Sequence, residues 1–240
     1  IMGVDCETGA IKWSTPNRGG WEMSHSSVMV MNLDGKKTYV YCAIGGMAGV
    51  SAEPGEEGKL LWETNVFDKS VIAPSPLILD DGKVFLTAGY GAGGMLLQVA
   101  RREDGYQIEV LQEFSPREGL ASEQQTPIFY KGHIFGILPK DAGKYRKQFV
   151  ACRMDDISKY VWTSGKEHRF GLGPYLLADG KFYILDDDGR LSIARFSLER
   201  FEFLDSAKVL NDRETWGPLA LAGSRMLVRG LTRMVCICLL

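Results

Sequence analysis

One glycine-rich stretch has the spacing of a phosphate-binding loop. Gly89–Gly94 reads GYGAGG, which satisfies G-x-G-x-x-G and follows the apolar run KVFLTA. In a dinucleotide-binding fold such glycines let a helix N-terminus approach a pyrophosphate. That motif requires a strand that opens a β-α-β unit, whereas both neighbours of this stretch read as hairpin strands. We therefore interpret Gly89–Gly94 as a glycine-rich loop between two strands.

The acidic run near position 186 and the three histidines are the residues that could bind a metal ion. The run Asp186–Gly189 reads DDDG, but an EF-hand loop needs alternating acidic residues and a glutamate at the twelfth position, which here is Ser197. We interpret the run as a turn between two strands. The histidines, His25, His133 and His168, are isolated and have no HxxxH spacing, so the sequence predicts no zinc site. No G-x-S-x-G nucleophile motif is present.

The spacing of the cysteines indicates neither a redox-active pair nor an assignable disulfide. The five cysteines are an odd number without a CxxC pair: Cys6, Cys42, Cys152, Cys236 and Cys238. Most lie in apolar, strand-like runs, which is typical of small buried hydrophobic residues. A disulfide between two of them cannot be assigned from sequence. Cys236 and Cys238 would point the same way from one strand, which is poor geometry for bridging each other.

The composition is that of a globular protein. The 240-residue chain is 45% hydrophobic and 24% charged, with a formal net charge of −2. This charge gives no electrostatic basis for binding nucleic acid or an anionic membrane. No apolar run approaches the roughly 20 residues that a membrane-spanning helix requires. The sequence therefore predicts neither a nucleic-acid partner nor a membrane span.

The elements that must position these side chains repeat along the chain. Gly9 and Trp13 define a four-residue offset that recurs at intervals of 49, 47, 53 and 42 residues with progressive loss of both anchors. The later copies are Gly58 with Trp62, Gly105 with Glu109, Ser158 with Trp162, and Arg200 with Leu204. A repeat of 40 to 50 residues is typical of propellers and other repeat architectures.

Each repeat contains the same succession of strands. An apolar strand, a glycine-containing turn and a second apolar strand recur over 26–44, 75–88, 126–138, 173–185 and 217–230. Near-continuous apolar runs indicate strands that are buried on both faces. A third strand leads into each anchor turn and a fourth leaves it. Four strands per repeat describe a blade of a β-propeller.

We predict an all-β fold, a single β-propeller domain over residues 1–240. It has about four complete four-stranded antiparallel blades, preceded by two strands and followed by up to three. These outer strands either pair into one closing blade or belong to a seven- or eight-bladed ring. The chain begins Ile-Met-Gly, inside a repeat and without a signal-peptide pattern. We therefore expect a C-terminal fragment that lacks its N-terminal blades.

The first repeat resembles the motif of a known family. Pyrroloquinoline-quinone (PQQ) repeat propellers carry A-x-D-x-x-T-G-x-x-x-W, which Asp5, Thr8, Gly9 and Trp13 fit, with Gly3 in place of alanine. The family includes quinoprotein alcohol dehydrogenases, a propeller lipoprotein of outer-membrane assembly and many exported bacterial proteins. The resemblance implies a periplasmic or secreted protein.

The resemblance also implies structural roles for the anchor residues. In the family, the tryptophan docks between adjacent blades against the glycine-bearing turn of its neighbour. This implies packing roles for Trp13 and Trp62, for Trp162, and for the turn glycines Gly9 and Gly58. The aspartate of the motif is absent from the later copies.

Ligands of such propellers usually bind where the loops surround the central channel. Two sets of loops share that face, those that join blades and those between the second and third strands. The candidate ligand-binding residues on them are His25, Tyr90, Glu123, Gln124, Gln125, Arg169 and Trp216, near Ser26, Ser75, Thr126, 170–171, Thr215, Gly217 and the long stretch 139–147. A mouth of this kind suits a polar small molecule, a glycan or a peptide.

Three functions follow, and the first is preferred. It is a non-catalytic propeller that binds a ligand or a protein partner at the channel mouth without a cofactor or a metal ion. The second is a quinoprotein dehydrogenase with PQQ and Ca²⁺, although the adjacent cysteine pair common in those enzymes is absent here. The third is a polysaccharide-processing enzyme, which needs paired carboxylates. Glu123 is its single acidic candidate.

Overall fold

The computed structural model describes residues 1–239, which divide into two compact units. Unit 1, Ile1–Phe114, contains three antiparallel sheets. Their strands are β1 (Met2–Val4) and β2 (Ile11–Ser14); β3 (Met29–Leu33), β4 (Lys36–Ala43), β5 (Gly46–Ser51) and β6 (Leu60–Thr64); and β7 (Leu77–Ile78), β8 (Lys83–Ala88), β9 (Gly93–Arg102) and β10 (Gly105–Phe114). A single 3₁₀ turn, Asp80–Gly82, joins β7 to β8.

Unit 2 begins at Ser115 and contains three further sheets. Their strands are β11 (Ile128–Tyr130), β12 (His133–Ile137), β13 (Phe149–Arg153) and β14 (Asp156–Thr163); β15 (Tyr175–Ala178), β16 (Lys181–Leu185), β17 (Arg190–Arg195) and β18 (Glu202–Lys208); and β19 (Ala220–Ala222), β20 (Arg225–Arg229) and β21 (Met234–Cys238). A 3₁₀ turn, Gly143–Tyr145, lies in the loop between β12 and β13.

Within each sheet every strand pairs antiparallel with the next strand in sequence. This up-and-down order is that of a propeller blade, because each blade is a four-stranded meander. Four sheets have four strands, β1–β2 precede them and β19–β21 follow them, so the predicted partial β-propeller is confirmed.

The inner strands are buried on both faces, as their apolar runs predict. In β16, Phe182 and Ile184 enter an apolar cluster with Phe135 and Phe149, whereas the intervening Tyr183 and Leu185 enter a different cluster with Met226 and Val228. Successive side chains of a strand point to opposite faces, so one strand contributes to two inter-sheet cores. In unit 1, β4, β8 and β9 contribute to a comparable cluster around Met31 and Leu97.

The two motif-like stretches are both hairpin turns. Gly89–Gly94 spans the turn from β8 to β9, and the residues after it continue as a strand. Asp186–Gly189 joins β16 to β17. Neither stretch precedes a helix in the described chain, so the interpretation of both as loops is confirmed.

The cysteines divide into two groups. Cys42 and Cys152 are buried, as predicted, and burial raises the pKa of the Cys42 thiol to about 12. The prediction of burial is wrong for Cys6, Cys236 and Cys238, which are exposed. Cys6 lies in the turn between β1 and β2. The other two lie on β21, at the edge of a three-stranded sheet. All five are free thiols.

Candidate functional site

Five of the seven predicted ligand-binding residues lie in unit 2, and three inter-blade loops there meet at one place. We call this place the loop cluster. It consists of Glu123–Gln125 before β11, Arg169–Leu172 before β15, Asp186–Asp188 after β16 and Thr215–Trp216 before β19. The sequence predicted from the order of the strands that these inter-blade loops lie together. Side-chain hydrogen bonds join them.

Gln125 connects three of these loops through one side-chain amide. Its Nε2 donates to the carbonyl oxygen of Leu172 at 3.2 Å and to that of Trp216 at 3.1 Å. Since these carbonyls precede β15 and β19, the amide holds the entry segments of three sheets together.

Two carboxylates of the β16–β17 turn complete the network. Asp187 Oδ1 accepts the Leu172 amide at 2.6 Å and the Trp216 indole Nε1–H at 3.0 Å. Asp186 Oδ1 accepts the Gly171 amide at 2.8 Å. Partial burial, with the nearby carboxylates of Asp187 and Asp188, raises the pKa of Asp186. The turn therefore binds the neighbouring loops through acceptors that sequence reasoning did not identify.

Glycine at position 171 is required by this network. A Cβ there would overlap the carboxylate of Asp187. The residue lies in the sequence Arg-Phe-Gly-Leu-Gly, and a Cβ at Gly173 would overlap the Leu185 carbonyl in the same way. The spacing of these two glycines was a sequence signal for close approach that the repeat pattern alone did not explain.

Arg169 uses its guanidinium within the protein. Nη2 donates to the carbonyl oxygen of Lys144 at 3.1 Å, and Nη1 donates to that of Arg146. The main chain of Arg169 also forms an isolated bridge with Gln148. Arg169 thus anchors the long 139–147 loop to the loop cluster.

Glu123 and Gln124 line a small cavity with Ser122, Gln125 and Tyr175. The Glu123 side chain is only 6% exposed, and its Oε1 lies 3.5 Å from Lys140 Nζ. Its buried Oε2 has no hydrogen-bond partner among residues 1–239. A buried carboxylate oxygen without a partner is costly, so this position favours a donor from outside the chain.

The remaining two predicted residues, His25 and Tyr90, lie in unit 1. His25 is exposed, and its amide donates to the Ile72 carbonyl at 3.0 Å. Tyr90 is 67% exposed and adopts a φ of 57° at the β8–β9 turn.

Unit 1 contains a groove that sequence reasoning missed. It has a volume of about 460 Å³, and residues of the β1–β2 hairpin, the segment before β3 and the sheet β3–β6 line it. We call it the Trp21 groove. Trp21 lies over the β4–β5 turn, where a Cβ at Gly45 or Gly46 would be 2.5 Å from its ring. The room that Trp21 needs therefore explains the glycines at positions 45 and 46.

The anchor tryptophans occupy three different environments. Trp13 lies against the turn of the adjacent sheet, where a Cβ at Gly58 would be 2.6 Å from its Cε3. Thr15 Oγ1 donates to the Gly58 carbonyl at 2.8 Å. Trp162 Nε1 donates to the Ser197 carbonyl at 3.1 Å, in the turn that leads to β18. Gly9 has a φ of 73° and open space at its Cβ position.

Trp62 departs from the docking pattern that the resemblance implies. No atom lies within 4 Å of the Cβ position at Gly105, so Trp62 does not cover that turn as Trp13 covers Gly58. The hairpin of β9 and β10 has ten residues in each strand, which moves its turn outward. Trp62 is instead buried over Gly49 of its own sheet, in a cluster that Tyr106 and Ile108 also contact.

Residues 1–239 contain neither a ready metal site nor a membrane-spanning helix. No group of three or more His, Cys, Asp or Glu side chains in this range is arranged to hold an ion. No helix in the same range is long and apolar enough to cross a membrane.

Comparisons with known proteins support the fold. No protein-family model and no curated protein sequence matches the chain. BamB from Moraxella catarrhalis is 15% identical, with a TM-score of 0.60 over 98% of this chain and 65% of that structure. Quinohemoprotein alcohol dehydrogenase from Comamonas testosteroni is 16% identical, with a TM-score of 0.54 over 87% of this chain and 40% of that structure. The chain thus spans less than two thirds of either. These likenesses show that the chain has the β-propeller fold seen in the PQQ-repeat proteins.

Proposed function

We propose that this protein is a non-catalytic β-propeller that binds a protein or polar ligand at the loop cluster of unit 2. The observation that carries the proposal is the Gln125 amide, which joins the Leu172 and Trp216 carbonyls. Loops that are already fixed lose little conformational entropy on binding, so they favour recognition.

The side chains left at the surface fit a polar partner. Trp216 remains 37% exposed although its indole N–H is bonded to Asp187. A fixed tryptophan offers a rigid contact face. Lys140 is 60% exposed beside the buried Glu123, and the exposed Lys144 follows on the loop that Arg169 anchors. Aromatic and charged groups together suit a polar surface or a glycan.

Site-specific photo-crosslinking tests this proposal. A photoreactive residue at Gln124 of the full chain should give a defined adduct with a partner, and one at Leu204, an exposed position on β18, should not. Trp216→Ala should abolish the Gln124 adduct. Equal adducts from both positions, or an adduct that survives Trp216→Ala, would contradict the proposal.

The alternative is a PQQ- and Ca²⁺-dependent dehydrogenase, which the likeness to a quinohemoprotein enzyme keeps open. Calcium takes six to eight oxygen ligands, usually with several carboxylates. The loop cluster contains the adjacent carboxylates of Asp186 and Asp187, and each already accepts a hydrogen bond from a main-chain amide. The described residues therefore do not fit the group. Quinone absorbance and dye-linked alcohol oxidation after addition of PQQ and Ca²⁺ would overturn the preferred function.

A polysaccharide-processing enzyme receives less support. Such chemistry uses two carboxyl groups that face each other across the sugar. Glu123, its single candidate, faces Lys140. An exported, periplasmic location follows from the family resemblance and is proposed on that basis.

A further inference from the structure

The Trp21 groove of unit 1 is independent of the loop cluster and has the size of a ligand site. Its volume of about 460 Å³ falls within the range of small-molecule pockets. Its walls are mainly apolar and include Met2, Met23, Val28 and Val50. Met23 is 86% exposed and Val28 is 44% exposed. Large apolar side chains at the rim of a groove mark a surface that gains from being covered.

Trp21 is held in a fixed position at this groove. Asn17 clamps it, because Asn17 Oδ1 accepts the Trp21 amide at 3.0 Å and Nδ2 donates to the Trp21 carbonyl at 2.8 Å. The ring lies over Gly45 and Gly46. Gly19 also approaches the ring, so Trp21 forms a fixed wall of the groove.

The hydroxyl groups in the groove satisfy one another. Ser24 Oγ and Ser26 Oγ both donate to the Cys42 carbonyl, at 2.5 and 2.8 Å. Tyr41 Oη accepts the Ser24 amide at 3.0 Å. A ligand is therefore not required to supply hydrogen bonds to these groups, and its apolar body can lie against them.

The charged side chains around the groove have one sign. Among residues 1–239, the charged side chains that line it are Glu22 and Glu63, and none of the lining residues is a lysine, arginine or histidine. The strand register places Tyr41 opposite Ala48 and Ala48 opposite Glu63, so these three side chains share one face of the sheet. A main-chain bridge with Ile44 fixes Glu22.

The two carboxylates are free of ion pairs. Neither Glu22 nor Glu63 forms a salt bridge or a side-chain hydrogen bond within residues 1–239. Elsewhere on the same sheet, Glu56 does pair, with Lys59. An apolar groove lined by two unpaired carboxylates is complementary to an apolar ligand with a positive charge, because opposite charges attract.

We propose that the Trp21 groove binds a small apolar ligand that carries a positive charge, such as a hydrophobic amine. Its apolar body lies against Val28, Tyr41 and Val50, and its cationic end lies near Glu22 and Glu63. This site lies within unit 1 and does not depend on the proposed function of the loop cluster.

Three probes of the same shape test the proposal with the full chain. They are 4-phenylbutylamine, 4-phenylbutanol and 4-phenylbutyrate, which are positive, neutral and negative at pH 7. Titration calorimetry should show that the amine binds about tenfold more tightly than the carboxylate, with the alcohol between them. The preference should fall with added salt, because solvent-exposed charges are screened.

Substitutions in the groove test whether its two carboxylates cause the preference for the amine. Glu22→Gln with Glu63→Gln should remove the preference for the amine over the alcohol and leave alcohol binding unchanged. Glu103→Gln, which removes an acidic residue outside the groove, should leave both affinities unchanged. Trp21→Leu should weaken all three probes.

Several results would overturn this inference. They are the absence of amine binding, equal affinity for amine and carboxylate, or an amine preference that survives the double glutamine variant. If Trp21→Leu unfolds, the double variant alone decides, because it leaves the apolar walls intact. Loss of crosslinking at Gln124 would leave this result unaffected, so the two proposals fail separately.

Discussion

The loop cluster of unit 2 and the Trp21 groove of unit 1 use their carboxylates in opposite ways. In the loop cluster, Asp186 and Asp187 accept main-chain amides and an indole N–H. In the groove, the side chains of Glu22 and Glu63 line an apolar surface and have no partner among residues 1–239. The carboxylates of the loop cluster form hydrogen bonds that hold the loops together. The carboxylates of the groove remain available to a ligand. Substitutions should therefore change stability in one region and affinity in the other.

The largest effect is expected from Gly171→Ala in the loop cluster. The new methyl group would displace the Asp187 carboxylate and break its bonds to Leu172 and Trp216. We expect a loss of about 3 kcal/mol of unfolding free energy from overpacking and lost hydrogen bonds. Gly217→Ala is the matched control, since its new Cβ would have no neighbour nearer than 3.4 Å. Urea unfolding curves measure both, and equal losses would contradict the packing described for Gly171.

Removing one carboxylate from each region should change the free energy of unfolding in the loop cluster much more than in the groove. Asp187→Ala deletes two hydrogen bonds to a charged acceptor and should cost about 2 kcal/mol. The matched change in the groove, Glu63→Ala, should alter stability by less than about 0.5 kcal/mol, because the Glu63 side chain has no partner among residues 1–239. Thermal unfolding gives both values. A large loss for Glu63→Ala would mean that the groove carboxylate is structural.

The β1–β2 hairpin contributes to one wall of the Trp21 groove, and Trp13 of this hairpin packs against Gly58 of the next sheet. Gly58→Ala and Gly9→Ala both place alanine at a positive φ, 81° and 73°, which costs about 1 kcal/mol. Only at Gly58 does the new methyl group meet Trp13, which should add about 1 kcal/mol. Urea unfolding should therefore show a greater loss for Gly58→Ala, and the amine affinity of the groove should fall. Equal losses would argue against docking of Trp13.

The smallest effects concern pH, and they have opposite signs in two turns. In unit 1, Lys12, together with the amide and hydroxyl of Thr8, lowers the pKa of Asp5 to about 2. This contribution to stability is present above the ordinary value of 3.8 and is lost as pH falls through about 2. Burial raises the pKa of Asp186, so its contribution is present below 3.8 and is lost as pH rises through the raised pKa. NMR titration of the carboxyl carbons would show the two midpoints on opposite sides of 3.8, and coincident midpoints would contradict this.

Most of the fold could be predicted from the sequence because each blade is local. The apolar run of β16 predicts burial on both faces, and the strand–turn–strand unit predicted over 173–185 ends where β16 ends. Hairpins between consecutive strands need only turn residues and apolar runs, both of which the sequence displays.

The sites were harder to predict because their contacts are distant in sequence. Asp187 and Trp216 are 29 positions apart, and Gln125 and Trp216 are 91 apart. The DDDG sequence specifies a turn, but it contains no information about which loops that turn will meet. Trp21 was missed because the glycines that accommodate it belong to the next hairpin, and it lies outside the repeat that marked Trp13 and Trp62.

Hydrogen exchange of the free protein tests the central claim, that the loop cluster is fixed before any partner binds. The amides of Gly171 and Leu172 and the indole N–H of Trp216 are bonded to Asp186 and Asp187. NMR-detected exchange at these three sites should be at least about a hundredfold slower than at Lys166, an exposed position in the turn after β14. Exchange at the same rate as Lys166 would show that the loops open freely and would contradict the account.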